Sequence, residues 1–457
     1  MTIEASVDAP PPAAPLNNLL TAPILPTLLK LTLPNSIAMF GTALVAVAET
    51  SYIGRLGVEP LAGIALVFPF VMLTQMMSAG AMGGGVSSAV SRALGAGDRE
   101  RAATLALHAA IIGTGGGLFF TVMMLAFGRA YYSLLGGSGE MLEQAMHYSQ
   151  VLFSGAVSIW LVNTLGSVLR GTGDMRVPSA VLIGVAIIQV VVGGTLGLGL
   201  FGLPSWGMRG IASGQFAAFT LGAIFLIWYL LSGRSRLKLN LSSFAFHRDM
   251  FFDILKVGAI SCLSPLQSVL TILIFTKILA GFGAATLAGY GIGSRLEFLL
   301  VPIAFAFGVA SVPMVGMAMG AGLVSRARKV AWIAGAAAGL TVGLIGLIVA
   351  IKPSLWVSLF TSDPGVIAAA YSYFAWAGPA FGFFGMGTCL YFSSQGAAKM
   401  VGPVLAGTLR LMLVGLGGWW LASAGAPAWT LFALVGSAMI VFGLALALSV
   451  RLTRWGK

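Results

Sequence analysis

One carboxylate stands inside an apolar run. Glu49 lies in the C-terminal half of Pro34 to Gly57, PNSIAMFGTALVAVAETSYIGRLG, which is long enough to cross a bilayer as a helix. An ionisable side chain in such a span costs about 3 kcal/mol on insertion scales, so it is retained for what it does. Asn35, Thr42 and Glu49 recur at seven-residue intervals and so fall on nearly one helix face, with Pro34 removing a backbone donor near the start. Two readings are open. Glu49 sits at the membrane surface, six residues before Arg55, or it faces a cavity and changes its proton or ion occupancy.

Four more charges fall within apolar stretches: Lys277, Arg295, Glu297 and Arg410. Arg295 and Glu297 read either as an internal neutralising pair or, with Gln267, as a second polar site. Lys277, near a helix end, is expected to snorkel to the outer surface. Cys262 and Cys389 are the only cysteines and both lie in apolar sequence, so neither a disulfide framework nor a thiol metal site is expected. His108, His147 and His247 show no metal-ligand spacing. Met72, Met76, Met77, Phe68, Phe70 and Phe153 would suit a cavity for flat apolar cations, although such residues more often pack or face lipid.

The elements that carry these residues are membrane helices. The 457 residues are 58% hydrophobic and 8% charged, with a mean hydropathy of +0.97. Soluble domains carry about 25% charged residues. Apolar segments broken by polar or glycine-proline turns number twelve, which gives an all-α polytopic membrane protein. The expected organisation is a disordered tail over 1–24, an N-lobe of six helices over 25–232, a linker over 233–250, a C-lobe of six helices over 251–450 and a tail over 451–457. With the N-terminus inside, eighteen of the 25 basic residues collect on the inner side and four on the outer. That bias places both termini in the cytoplasm of a bacterial-type inner membrane, and the net charge of +12 then needs no nucleic acid.

The two halves repeat. At an offset of 225, GAG at 95–97 matches 320–322, Arg101-Ala102 matches Arg326-Ala327, and Gly171, Met175 and Pro178 match Gly396, Met400 and Pro403. Near the start the offset is 226, with Leu29-Lys30 against Leu255-Lys256. Six spans per half make the repeats parallel, so two lobes face each other across a central cleft, the plan of a rocking transporter.

Particular motifs then carry a family resemblance. ETSYIGRLGVEPLAG, SRALGAGDRERA and LRGTGDMRVP, with the echoes MAMGAGLVSRARK and SSQGAAKMVGP, resemble the multidrug and toxic compound extrusion (MATE) transporters over about residues 25–450. The resemblance implies export of cationic or amphipathic organic compounds in antiport with protons, or else sodium, by a chain expected to act as a monomer with no cofactor. Residue by residue, Glu49 takes the place of the family's usual Asp and Pro34 that of the first-span proline at which a helix bend has been proposed. Asn163 matches an N-lobe asparagine. Gln189 falls where Asn is usual, Gly193 where a second Asp would follow, and Ser213 or Gln215 where a hydroxyl would. Losing the second acid weakens a sodium site more than a proton site, and the pattern is more like the DinF-like branch.

Two other functions compete with this one. A flippase for lipid-linked precursors usually has extra spans and a more cationic cavity. An intramembrane enzyme would need a motif such as HExxH, GxSxG or a facing acid pair, and none is present; nor is a Walker A loop.

Overall fold

A computed structural model describes residues 17–237, 239 and 245–456. The described chain is helical throughout. The first six long helical segments are α1 (Ile24–Leu56), α2 (Val58–Gly95), α3 (Arg99–Leu134), α4 (Gly139–Ser154 with Ala156–Gly171), α5 (Arg176–Leu198) and α6 (Gly207–Leu231). The second six are α7 (Arg248–Ala280), α8 (Ala284–Gly320), α9 (Val324–Ile351), α10 (Pro364–Ala377 with Phe381–Gly396), α11 (Val401–Ser423) and α12 (Ala428–Leu452). Among the described residues, ten helices are long and apolar enough to cross a membrane, and α4 joins them as a pair bent by 48°. The twelfth, α10, is two shorter helices joined by the 3-10 turn Gly378–Ala380.

The repeat is visible in the backbone. Gly97 and Gly322, at the 225 offset, both turn the chain with φ +81° and +73°. Gly57 and Gly283, at the 226 offset, do the same at the other end, with φ +131° and +97°. These positions end helices in conformations that side chains resist. Gly173 (φ +81°) has Ala398 (φ 56°) as its counterpart, so there a side chain accepts the left-handed turn. The break in α4 beside Gly155 likewise recurs at the 3-10 turn of α10.

Helix α2 departs from regular geometry in its middle, where Met76–Met82 form a π turn. Such a turn leaves carbonyls without their usual intrahelical partner. Among them Gly80 and Ala81 accept hydrogen bonds from Gln395 Nε2 of α10, at 3.1 and 3.4 Å.

Among the described residues, the tightest contacts between the lobes lie toward the end carrying the basic loops. There α2 crosses α8 backbone to backbone. A Cβ added at Gly95 would lie 2.1 Å from the Met317 carbonyl oxygen, and one at Gly320 would lie 2.0 Å from that of Arg92. A Cβ at Gly85 would meet the Gly258 nitrogen of α7 at 2.8 Å. Ser88 donates across the junction to the Gln395 carbonyl, and Arg92 pairs with Asp253 of α7 at 2.7 Å. Arg101 reaches the other oxygen of Asp253 at 3.4 Å. One apolar core therefore runs through the N-lobe and the basic-end half of the C-lobe. A second, around Phe275, Tyr373 and Phe432, fills the opposite end of the C-lobe by itself.

The expected disordered tail needs correcting. Residues 1–16 lie outside the described residues, but Asn17–Thr21 is helical, with Leu19 buried. Arg326 at the start of α9 donates to the carbonyls of Leu19 and Ala22 at 3.1 and 2.6 Å and ties this segment to the C-lobe. Of the expected linker 233–250, residues 238 and 240–244 lie outside the described residues. Its C-terminal part packs on α3, where the His247 amide donates to His108 Nε2 at 3.0 Å.

The glycine contacts generate a test. Gly95→Ala and Gly320→Ala should prop the basic ends apart without unfolding either lobe. A cysteine at Ser88, buried in the native junction, should then react with maleimide about tenfold faster than in the parent, the effect of shifting a two-state balance by about 1.4 kcal/mol. Unchanged labelling would mean that the α2–α8 contact does not hold this end closed.

Candidate functional site

Glu49 is half-buried in α1, and its Oε1 accepts a hydrogen bond from Gln189 Nε2 of α5 at 2.9 Å. The pair exists because α1 packs along α5, with Tyr52 filling the space that Gly194 leaves. Beside it, buried Tyr148 of α4 lies 3.5 Å from Gln215 Oε1 of α6, close enough to Glu49 to feel its charge. No basic side chain forms an ion pair with Glu49 among the described residues. A carboxyl held this way can exchange a proton, or the ionised group can attract a cation.

The other candidates are distributed differently. Asn163 is buried in α4, but it does not join Glu49. Its Nδ2 donates to Ser78 Oγ at 2.8 Å and Gln75 Oε1 at 3.1 Å, at the π turn of α2. The polar stripe on α1 does not form a network. Asn35 is buried with its Nδ2 unpartnered, whereas exposed Thr42 bonds its own helix at Met39. Seven residues advance an α-helix slightly short of two turns, and that drift separates the environments. Pro34 sits within α1 without ending it. Ser213 bonds the Arg209 carbonyl at 2.8 Å and lines a shallow hollow of about 460 Å³ between α4 and α6. Of the apolar candidates, Phe70 stacks on Tyr131 and Phe153 is fully buried, so both belong to the N-lobe core. Lys277 is exposed.

Gly193 has a structural reason. A Cβ there would meet the Ile211 carbonyl at 3.0 Å, and one at facing Gly214 would meet the Gly193 Cα at 2.5 Å. Helices α5 and α6 touch through these glycines, so α6 backbone fills the place of a second acid.

In the C-lobe the expected neutralising pair does not form. Arg295 and Glu297 are two apart on α8, and side chains two apart on a helix point in different directions. Exposed Arg295 lies over the Phe360 ring at 5.3 Å. Glu297 has a buried, unpartnered Oε1 and feels Arg410 of α11 instead. Arg410 lies over the rings of Phe384 and Phe442 at 5.1 and 5.7 Å. Gln267 is tied to Thr408 of α11 at 2.8 Å, and it bonds neither Glu297 nor Arg295.

Sequence reasoning missed Ser78 and Gln75, because a π turn leaves no periodic signal. Arg170, one of the eighteen cations assigned to the inner side, was given no role by the sequence. The structure buries Arg170 at 7% exposure in the last turn of α4, against the other lobe.

Two repeated six-helix lobes packed against each other, with a partly buried acid inside one of them, define a polytopic membrane transporter. Comparison with known proteins carries this further. The MatE family model matches residues 34–195 and again 261–421, once in each half. The chain belongs to the MatE family. It is 28% identical over 357 residues to the FAD transporter of Shewanella oneidensis, covering 77% of each chain. It is 27% identical over 344 residues to the probable multidrug resistance protein NorM of Thermotoga maritima, covering 74% of this chain and 73% of that one. In fold it superposes on a MOP superfamily transporter from Pyrococcus furiosus with a TM-score of 0.88 at 22% identity, over 95% of this chain and 96% of that one. These are transporters; no catalytic family is indicated.

The glycine contact sets a prediction. Gly193→Asp should not build a second ion ligand. It should force α5 from α6 and lower Tm, with Gly193→Ala lowering Tm less, at a stability cost of about 1–3 kcal/mol, the range typical of overpacking. A folded Gly193→Asp protein with unchanged Tm and new sodium binding would overturn this account of the position.

Proposed function

We propose that the chain is a secondary active exporter of amphipathic, often cationic, small organic molecules, driven by proton antiport at Glu49. The observation that carries this reading is the Glu49–Gln189 contact, an acid inside the N-lobe with an amide partner and no basic one. A proton needs one titratable group, whereas sodium needs a cage of oxygens. Helix α6 fills the place of the second acid, which favours the proton. Asn163 is tied to the π turn rather than to the acid, so its role in this scheme is to hold α2 in place.

In the proposed cycle the basic end faces the cytoplasm, following the distribution of Lys and Arg. The lobes, 25–232 and 251–450, rock about their junction. The state closed at the basic end is the one that opens outward. A proton entering from outside neutralises Glu49, releases its hold on a cation, and leaves once the basic end opens. Substrate and proton then weaken each other's binding by the same factor. The resemblance to a FAD transporter widens the proposed cargo to flat-ringed molecules that bear acidic groups.

Purified protein in proteoliposomes tests the coupling. An imposed pH difference should drive export of ethidium without sodium. Glu49→Gln should insert normally and lose at least about 90% of that flux, since it keeps the amide contact but holds no exchangeable proton. Glu49→Asp should keep part of it. Wild-type export by Glu49→Gln would move the coupling elsewhere, with Glu297 the next residue to change.

Orientation is tested separately. A cysteine placed at exposed residue 234 or at exposed residue 454 should be labelled by a membrane-impermeant maleimide only from the cytoplasmic side. Labelling of either from outside would invert the proposed topology.

A further inference from the structure

The junction between the lobes contains two side chains that occupy equivalent places in the repeat, and they differ in that Gln395 bonds across to the other lobe whereas Arg170 bonds within its own helix. Gln395 of α10 is the counterpart of Arg170 of α4 at the offset of 225. Gln395 crosses to α2 and finds the two carbonyls that the π turn presents. Arg170 faces the matching stretch of α8, where Val309 and Val312 stand at the counterparts of Gly84 and Ser87. That stretch is α-helix in which Pro313 leaves the Val309 carbonyl without its usual donor, yet Arg170 bonds Ser167 rather than that carbonyl.

The Arg170 guanidinium lies back along its own helix and donates to Ser167 Oγ at 3.1 Å. No carboxylate pairs with it among the described residues. It borders a cavity of about 10 Å³, shared with Ser87, Ser167 and the Phe392 ring. Ser87 is 4% exposed, and its Oγ also lacks a partner. In the closed junction this space suits one water molecule. A buried guanidinium without an anion is costly, and its planar fork is shaped for carboxylate and phosphate. Parting of the lobes at the basic end removes Val309, Val312 and Phe392 from in front of it. Arg170 and the Ser87 hydroxyl then face the cleft together.

We propose that Arg170, with Ser87, is a loading site for the acidic group of an organic substrate, a phosphate or carboxylate attached to a flat ring, exposed only when the basic end is open. The proposal rests on the transporter reading and names a substrate class within it. Such a ligand binds the open junction alone, so its binding draws the lobes apart. The site is separate from Glu49, which lies on α1 and serves the ion.

Flavins make a matched probe, because riboflavin and flavin mononucleotide share a fluorescent ring and differ by one phosphate. With purified full-length protein, fluorescence titration should show flavin mononucleotide binding about tenfold tighter than riboflavin, the scale of one charge-assisted hydrogen-bonded contact. Arg170→Gln should erase the difference while leaving riboflavin affinity unchanged, and Arg170→Lys should keep part of it. Ser87→Ala should reduce it, and replacing an exposed cation outside the junction, Lys277→Gln, should leave it intact. Millimolar inorganic phosphate should not displace the nucleotide. Equal affinity for the two flavins, no binding of either, survival of the preference in Arg170→Gln, or displacement by inorganic phosphate would each overturn the proposal. Proton-driven ethidium export is read independently, so its failure would leave this result standing and would refute the coupling alone.

Discussion

Everything in this protein depends on how two lobes can hold together in lipid and still come apart. Inside a membrane no hydrophobic force joins one helix to another, because lipid tails are as apolar as leucine. Close backbone contact must supply the attraction, and small residues permit it. The α2–α8 crossing is built this way, from Gly95, Gly316 and Gly320, and it is fastened by few directed bonds. Dispersion between flat surfaces is lost over a short separation and regained as easily. Side-chain interdigitation of the kind that fills each lobe would resist both steps. The junction and the lobes thus use different packing for different tasks.

The same division explains the two apolar cores. The N-lobe's core continues into the basic-end half of the C-lobe, while the far half of the C-lobe closes on its own aromatic cluster of Phe275, Tyr290, Tyr373 and Phe432. In the proposed rocking the C-lobe thus keeps a centre of its own away from the junction. The repeat also shows where symmetry was abandoned. The counterparts of Glu49 and Gln189 are Phe275 and Val414, both buried in that second core. One half keeps an acid where the other has a packed ring.

Much of this was legible in the sequence, and the reasons are physical. Twelve apolar runs, the offset of 225 and the positive-inside bias are properties of the chain as a string. They identified the spans and the two-fold repeat without coordinates, while Glu49 and Gln189 came together as site residues only through the family resemblance. Other features depend on three-dimensional crowding. Gly193 reads as a missing acid, yet it is a contact with α6 that leaves no room for one. Arg295 and Glu297 look like partners because they are near in sequence, but the helix sends them apart and Arg410 arrives from α11. Arg170, beside a GTGD turn, reads as a surface cation until the opposite lobe covers it.

The π turn of α2 has a consequence for the solvent. Its Gly80 and Ala81 carbonyls are bonded by a side chain of the other lobe, so the helix borrows part of its hydrogen bonding from across the junction. When the lobes part, those carbonyls, the Gln395 amide and the Arg170 guanidinium must all be met by water at a depth where lipid offers none. Opening the basic end is then a wetting step, and the balance between the two states is linked to water activity. Solutes too large to enter the junction draw water out of it and favour the closed form. In the proposed cycle the resting posture is in this sense set by osmotic pressure as well as by cargo and ion.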